Sequence, residues 1–354
     1  MQVHIQHLPL IFKRPVGTSR GVMNVKNSWV IEVQHDNFKG KGEISIIEGL
    51  SPEYVSFAQF EQTIHEASDF FESCFSDEHP KRNLPLAFRE RYLLYPSIIF
   101  AFECALLNLF HGGTDLLFDN SFSRGNRAIP INGLVWMGDE TFMQEQIEEK
   151  IYQGFTTIKM KVGAIDFSTE LKILTSIRKK YSKNEITLRV DANGAFSANE
   201  ADSILEKLES LDLHSIEQPI QPGQWDKMRN LCLNSTLKIA LDEELIGIHT
   251  KEEKIKLLEY IRPPFIILKP SLHGGISGTQ EWILLAEERG IAWWMTSALE
   301  SNIGLNAICQ LAGEYNNELP QGLGTGSLYE NNTPTKLIVE KGFIIINTQH
   351  YSNK

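Results

Sequence analysis

Residues 157–194 read TIKMKVGAIDFSTELKILTSIRKKYSKNEITLRVDANG, and this stretch holds the pattern that decides the fold. A short apolar run at 157–161 ends at a lysine, an amphipathic segment follows, and a second run at 187–191 ends at an aspartate. Short apolar runs bounded by polar residues predict buried strands, and the segment between them is long enough for a helical crossover. The stretch therefore predicts one strand–helix–strand unit.

The same unit recurs along the chain from about residue 129. Apolar runs lie at 128–134, 157–161, 187–191, 215–217, 238–242, 265–269, 292–296 and 321–324, and all but the first end at a polar or glycine residue. Their ends are 25 to 30 residues apart, which leaves room for a helix between successive strands. Eight parallel strands with helical crossovers are typical of a (β/α)8 barrel, which we predict for residues 121–330.

The first 120 residues lack this repeat and predict a small α+β domain. Apolar residues roughly alternate over 3–10, and 29–33 is rich in strand formers, which indicates an antiparallel ribbon with a connecting loop at 14–21. Helical patterns follow at 52–75 and 96–111. At the other end, residues 331–354 predict a hairpin-like tail that packs back on this first domain.

Composition narrows the class of protein. The 354 residues include 34 Lys and Arg against 45 Asp and Glu, and 42% are hydrophobic, which is ordinary for a globular protein. A net charge of −11 argues against a partner such as nucleic acid or an anionic membrane, but a local group of lysines can still bind a small anion. The four cysteines stand singly and no signal peptide is evident, so we expect reduced thiols and a cytoplasmic location.

Ionisable residues follow the predicted strands at the ends that meet at the mouth of such a barrel. In chain order they are Lys159, Lys161, Asp191, Glu217, Asp242 and Lys269. Each one alone is a common turn residue, but turns do not explain the order cation, anion, anion, anion, cation at successive strand ends. Three carboxylates on neighbouring strands are hard oxygen ligands, which predicts a site for Mg²⁺, with Mn²⁺ as a possible substitute.

This arrangement suits the removal of a proton next to a carboxylate. The resulting enediolate is a dianion, which a divalent cation and Lys159 can stabilise. Lys161 is the candidate base because a neighbouring cation favours its neutral form. Lys269, predicted to lie across the mouth, is either a second base or a fixed cation over a π system.

The motifs at these strand ends resemble those of the enolase superfamily. They are Lys159-Met160-Lys161, Asp191-Ala192-Asn193, Ile216-Glu217-Gln218-Pro219, Leu241-Asp242-Glu243 and Leu268-Lys269-Pro270. The resemblance implies a (β/α)7β barrel with an N-terminal α+β capping domain completed by the C-terminal tail. It also implies that Asp191, Glu217 and Asp242 bind Mg²⁺, with Glu243 behind them.

The Lys-x-Lys motif is similar to the muconate-cycloisomerase-type branch, and three stretches, 12–21, 296–305 and 322–326, resemble its o-succinylbenzoate synthase family. That resemblance implies dehydration of 2-succinyl-6-hydroxy-2,4-cyclohexadiene-1-carboxylate in menaquinone biosynthesis. It further implies a substrate site made of a mobile capping loop and two barrel segments. The implied substrate-binding residues are Thr18, Ser19, Arg20, Ser297, Ser301 and Gly324.

Related activities remain as alternatives. Dipeptide epimerases resemble this chain but carry an Asp-x-Asp pair after the eighth strand, whereas residues 322–326 contain no carboxylate. N-succinylamino acid racemases share nearly all of the site and stay open. A non-catalytic solute-binding barrel is disfavoured by the complete set of lysines and carboxylates. The sequence leaves the oligomeric state undecided.

Two other sequence features, Arg189 and the segment 273–278, could be either functional or structural. Arg189 precedes Asp191 by two residues and could either approach the mouth or form a structural ion pair. The glycine-rich segment 273–278 could hold an anion, but it lacks the Lys-Ser/Thr ending of a phosphate loop. We therefore predict a plain strand-to-helix turn there.

Overall fold

The computed structural model describes residues 1–18, 21–75, 82–163 and 165–348. The N-terminal domain is an antiparallel sheet, in the order β1-β2-β3, covered by helices. Its elements are β1 (Gln2–Thr18), β2 (Gly21–His35), β3 (Phe38–Ser45), α1 (Phe57–Ser73), α2 (Leu86–Arg91) and α3 (Pro96–Phe110). No helix in the described ranges is long and apolar enough to cross a membrane.

Helix α3 is buried along almost its whole length because it lies between the capping sheet and the barrel. Two glycines of β3 permit its close approach to the sheet. A Cβ atom at Gly40 would lie 2.0 Å from the carbonyl oxygen of Ala105, and one at Gly42 would lie 1.9 Å from that of Ala101. Any side chain at either position would therefore push the helix away from the sheet.

The loop predicted at 14–21 is largely a continuation of the hairpin. Thr18 pairs with Gly21, and a register shift between Ile11 and Val16 accommodates Pro15 within the first strand. The turn-forming residues suggested a loop, but pairing across the hairpin keeps the backbone extended. Ser19 and Arg20 lie outside the described residues.

A short strand, β4, precedes the barrel, and from β5 onward strands and helices alternate. The elements are β4 (Ile129–Pro130), β5 (Gly133–Val135), α4 (Glu140–Tyr152), β6 (Thr157–Lys161), α5 (Phe167–Lys180), β7 (Thr187–Asp191), α6 (Ala201–Glu209), β8 (Ser215–Glu217), α7 (Trp225–Asn234), β9 (Ile239–Leu241), α8 (Lys251–Ile261), β10 (Phe265–Leu268), α9 (Gly275–Glu287), β11 (Ala292–Met295) and α10 (Asn302–Gly313). Strands β5 to β11 form one sheet in sequence order, and each neighbouring pair is parallel.

A short eighth segment closes this sheet into a barrel. Gln321 bridges to Ile131 on one side, and Gly322 bridges to Thr296 on the other. The amide of Gly322 donates to the carbonyl of Met295 over 2.8 Å. The predicted barrel with a capping domain is confirmed, and its last strand is reduced to a two-residue bridge.

The C-terminal hairpin consists of β12 (Leu337–Glu340) and β13 (Phe343–Ile346). Strand β13 pairs with β4, with Ile344 opposite Ile129, so this hairpin lies against the amino-terminal side of the barrel. We expected the tail to pack on the capping domain, but this hairpin pairs with β4 instead. The contact with β1 is made by the segment just before it, where the amide of Glu330 donates to the carbonyl of Ile11.

The glycine-rich turn at 273–278 does hold an anion, and that anion belongs to the protein itself. Glu103 of α3 accepts hydrogen bonds from the backbone amides of Ile276 and Ser277, at 2.5 and 3.3 Å. A carboxylate is favoured there because the first amides of a helix have no partner within the helix. The turn therefore joins the capping domain to α9.

Candidate active site

The six predicted ionisable side chains meet at the carboxyl ends of the barrel strands. The register places Lys161 opposite Asp191 on neighbouring strands, and Asp191 opposite Glu217. A cavity of about 180 Å³ at this mouth is lined by all of them except Asp242, which is fully buried beside it. Side chains spaced two apart on a strand share a face, which is why Lys159 and Lys161 both reach the cavity.

Ion pairs connect the lysines to the carboxylates. The Lys159 ammonium lies 2.6 Å from Glu217 Oε2 and 2.9 Å from Asp191 Oδ2, so it bridges two neighbouring strands. Lys161 lies 3.6 Å from the same Asp191 oxygen. Lys269 contacts Asp242 on the far side of the cluster.

Burial and charge act against each other in this cluster. Burial alone would raise the pKa of Asp191, but the ammonium groups of Lys159 and Lys161 outweigh it and hold that pKa below its ordinary value. Burial, together with the negative charge of Asp191, raises the pKa of Glu217 well above its usual range. Burial would also lower the pKa of Lys159, yet the surrounding carboxylates raise it.

The donor set fits a hard divalent cation. Asp191, Glu217 and Asp242 bring carboxylate oxygens from three adjacent strands, and Asp242 Oδ1 is buried without a hydrogen-bond partner among the described residues. Within those residues, no three His, Cys, Asp or Glu side chains stand at metal-ligand spacing. The carboxylates of Asp191 and Glu217 are not at that spacing because the Lys159 ammonium lies between them.

Asn193 has a role that the sequence did not indicate. Its Oδ1 atom accepts a hydrogen bond of 2.6 Å from the Lys161 ammonium, and its Nδ2 atom donates to Glu243 Oε1 over 3.0 Å. Its φ of +45° lies in the left-handed region that asparagine tolerates better than most residues. The sequence offered Asn193 only as part of the Asp191-Ala192-Asn193 motif, whereas the structure shows that its side chain links the candidate base to Glu243.

The structure places some of the predicted substrate-binding residues at the cavity and one of them away from it. Ser297 and Gly324 line the cavity, and the Ser297 hydroxyl accepts a hydrogen bond from Thr325. Ser301 does not line the described cavity, since it begins helix α10 and its hydroxyl donates to the buried Glu43. The side chain of Thr18, like Ser19 and Arg20, lies outside the described part of the chain.

The rest of the cavity wall is mostly apolar. The capping domain contributes Met23, Ile47 and Leu50, and the barrel contributes Trp136 and Trp294 among others. The wall therefore combines a charged cluster on one side with apolar surface on the other, which suits a ligand that has both a carboxylate and a hydrocarbon ring.

Arg189 does not line the cavity, and its guanidinium stacks 4.1 Å from the Trp294 ring and donates to the carbonyl of Pro320. It forms no ion pair within 4.0 Å among the described residues. Burial lowers the pKa of Arg189 to about 10. The sequence allowed two positions for Arg189, at the barrel mouth or in a structural ion pair, and the structure shows neither.

The comparison with known families agrees with this architecture. The family described as "Enolase C-terminal domain-like" matches residues 142–350, which is more than half of the chain. The chain belongs to the enolase superfamily. The superfamily motifs identified from the sequence are therefore the residues that meet at the barrel mouth.

Individual superfamily members extend the match to the whole chain. An o-succinylbenzoate synthase of Desulfotalea psychrophila is 45% identical over 97% of this chain and 98% of the relative. The solved structure of MenC from Desulfotalea psychrophila LSv54 has a TM-score of 0.85 and covers 98% of this chain and 99% of that chain, with 42% identity. The L-Ala-D/L-Glu epimerase of Bacillus subtilis, at 21% identity, shares the fold with a TM-score of 0.82 over 98% of this chain and 96% of that chain.

Proposed function

We propose that the chain is an o-succinylbenzoate synthase, a carbon–oxygen lyase that dehydrates 2-succinyl-6-hydroxy-2,4-cyclohexadiene-1-carboxylate in menaquinone biosynthesis. The observation that carries this proposal is the composition of one cavity. Lys161, Lys269 and the carboxylate cluster line or adjoin one side of it, while the wall made by Gly322, Gly324 and Thr325 bears no charge. The 45% identity to a synthase of this name supports the same activity.

The chemical step requires one base on the face of the substrate that bears both the proton and the hydroxyl group. Lys161, as a neutral amine, takes the proton from the carbon next to the carboxylate, and the electron pair moves into that carboxylate as an enediolate. The enediolate then expels the hydroxyl group, which takes the proton back from Lys161 and leaves as water. The ring becomes aromatic, and Lys161 returns to its starting state.

The other charged residues stabilise this anion. Asp191, Glu217 and Asp242 are the proposed ligands of Mg²⁺, with Mn²⁺ as a substitute, and the bound cation supplies the positive charge that favours the enediolate. Lys159 places a second cation beside the same carboxylates. Lys269, paired with Asp242, is proposed to stay charged and to hold the ring by a cation–π contact.

The second carboxylate of the substrate, on its succinyl arm, needs donors elsewhere. We propose the segment at Ser297, the backbone near Gly324, and Thr18, Ser19 and Arg20 for this role. The absence of a carboxylate on the cavity wall at 322–326 disfavours substrates with an ammonium group, because nothing on that wall would pair with it. We also propose that the enzyme works in the cytoplasm.

The alternative is an N-succinylamino acid racemase. One observation favours it, because Lys161 and Lys269 both line the same cavity and racemisation needs one group on each face of the carbon. The uncharged wall does not distinguish the two reactions, since neither substrate carries a free ammonium group. Only an assay with both substrates separates them.

The deciding experiment follows the ultraviolet spectrum of the cyclohexadiene substrate in the presence of protein and Mg²⁺. Aromatisation changes this spectrum directly, so we expect rapid conversion by the wild type and conversion about 10³-fold slower by a Lys161→Ala variant. A parallel sample with N-succinylamino acids in D₂O measures exchange of the α-proton. Rapid exchange together with negligible dehydration would replace the synthase by the racemase.

A further inference from the structure

One segment of the cavity wall is held in an unfavourable backbone conformation. Leu299 has a φ of +61°, which places a bulky side chain in the left-handed region. Ser297, Ala298 and Leu299 all line the cavity. Such conformations persist only where the surroundings determine them, and they are concentrated at functional sites.

The fully buried Glu43, from strand β3 of the capping domain, fastens the end of this segment. Its carboxylate accepts hydrogen bonds from the amide and the hydroxyl of Ser301, at 2.9 and 2.5 Å, and from the amide of Gly304 at 3.0 Å. A Cβ atom at Gly304 would lie 3.0 Å from Glu43 Oε2 and 2.7 Å from the Cβ of Glu300. Glycine at 304 therefore leaves the space through which Glu43 reaches the first turn of α10.

Three further contacts fix the segment from the barrel side. Tyr329 donates its hydroxyl proton to the carbonyl of Leu299 over 2.6 Å, and Thr325 donates to the Ser297 hydroxyl over 2.9 Å. Ser271, two residues after Lys269, donates to Glu300 over 2.5 Å. The capping domain thus supplies one of the four attachments, and that attachment consists of three hydrogen bonds to one carboxylate.

We propose that Glu43 is a positioning residue for substrate binding. By holding Ser301 and the start of α10, it keeps residues 297–299 in the conformation that shapes this part of the cavity wall for a substrate carboxylate. Docking of the capping domain on the barrel is thereby coupled to the shape of the cavity wall. The identity of the ligand as a carboxylate rests on the proposed function, whereas the control of the segment by Glu43 does not.

The chain offers a matched control for this proposal. Glu103 is also a buried carboxylate of the capping domain, and it also accepts amide hydrogen bonds at the start of a barrel helix, α9. Glu43→Gln and Glu103→Gln therefore replace the same kind of group at two interdomain contacts. The first contact is made to the helix that directly follows residues 297–299, whereas the second is made to α9.

The experiment measures two quantities in wild type and both variants. The first is amide hydrogen exchange of a peptide covering 297–301, and the second is the Kd of o-succinylbenzoate with Mg²⁺. For Glu43→Gln we expect exchange to accelerate and Kd to rise about tenfold, the effect of weakening hydrogen bonds to a charged group, while kcat changes less than KM. For Glu103→Gln we expect unchanged exchange at 297–301 and a Kd within about twofold of wild type.

Equal Kd values and equal exchange at 297–301 in Glu43→Gln and wild type would overturn the proposal, as would equal effects in the two variants. If Glu43→Gln does not fold, Ser301→Ala removes only the hydroxyl donor and carries the same test, with unchanged exchange and Kd again counting against the proposal. A wild type that does not bind o-succinylbenzoate would remove the proposed function. The exchange measurement would then still decide the role of Glu43.

Discussion

At the scale of single residues, Asn193 orients the candidate base by accepting a hydrogen bond from it. The acceptor is the amide oxygen of Asn193, so this contact fixes the position of the Lys161 nitrogen in the cavity. Asn193→Gly removes the side chain and tolerates the φ of +45°. We expect kcat to fall about 10- to 100-fold with KM changed much less, because binding is retained while the base loses its orientation.

The measurement is steady-state dehydration kinetics beside a matched control. Asp36→Gly makes the same kind of change at another left-handed position, in the turn between β2 and β3 and away from the barrel mouth. We expect wild-type kinetics from that variant. A full kcat in Asn193→Gly would show that Lys161 does not need this contact.

The two cavity lysines are separated by conservative substitution. A single-base elimination predicts that Lys161→Ala loses dehydration by about 10³-fold, whereas Lys269→Arg keeps part of it because the cation survives. Two-base racemisation predicts that Lys269→Arg is inactive, since a guanidinium cannot act as a base near neutral pH. Dehydration and α-proton exchange, both assayed on Lys269→Arg, distinguish these outcomes.

At the scale of elements, two helices are capped in different ways. Helix α8 begins with a local capping box in which Thr250 and Glu253 satisfy each other's backbone amides. Helix α9 is capped by Glu103 from another domain, and that carboxylate also lies 3.4 Å from Arg89. The second cap is buried and joins two domains, so its loss leaves buried amides unpaired.

We therefore expect Glu103→Ala to lower the free energy of unfolding by about 2–3 kcal/mol. Thr250→Ala, at an exposed local cap, should cost about 1 kcal/mol. Chemical denaturation of both variants beside wild type measures the difference. Equal losses would mean that the contact between α3 and α9 adds nothing beyond ordinary capping.

At the scale of the whole molecule, a bound cation should stabilise the fold. The carboxylates of Asp191, Glu217 and Asp242 are buried together, so a ligand that binds only the folded chain raises its stability by mass action. With Mg²⁺ at about 100 times its Kd, we expect Tm to rise by roughly 5 °C. Glu217→Gln should lose most of this rise, because an amide is a poorer ligand for a hard dication.

Thermal unfolding with MgCl₂, compared with NaCl at equal ionic strength, separates specific binding from screening. Removal of the cation by a chelator should also abolish dehydration, and added Mg²⁺ should restore it. Full activity in a rigorously metal-free preparation, or an equal rise of Tm in Glu217→Gln, would contradict the proposed ligand set.

The amino-acid sequence by itself determined the barrel, the order of its strands and the chemical groups at its mouth. Alternation of apolar runs and amphipathic helices is a local property of the sequence. In a parallel barrel the carboxyl ends of all strands lie on the same side. Locating the strands in the sequence was therefore enough to place their terminal residues at the barrel mouth. These residues include Lys159, Lys161, Asp191 and Glu217.

Only the tertiary structure decided which distant groups satisfy one another. Glu103 meets α9 across 173 residues of chain and Glu43 meets Ser301 across 258, and nothing in the local pattern marks these carboxylates as helix caps. The same contact directs Ser301 away from the cavity in which the sequence placed it. The physical reason is that a buried polar group must find a partner, but its identity depends on which elements pack together.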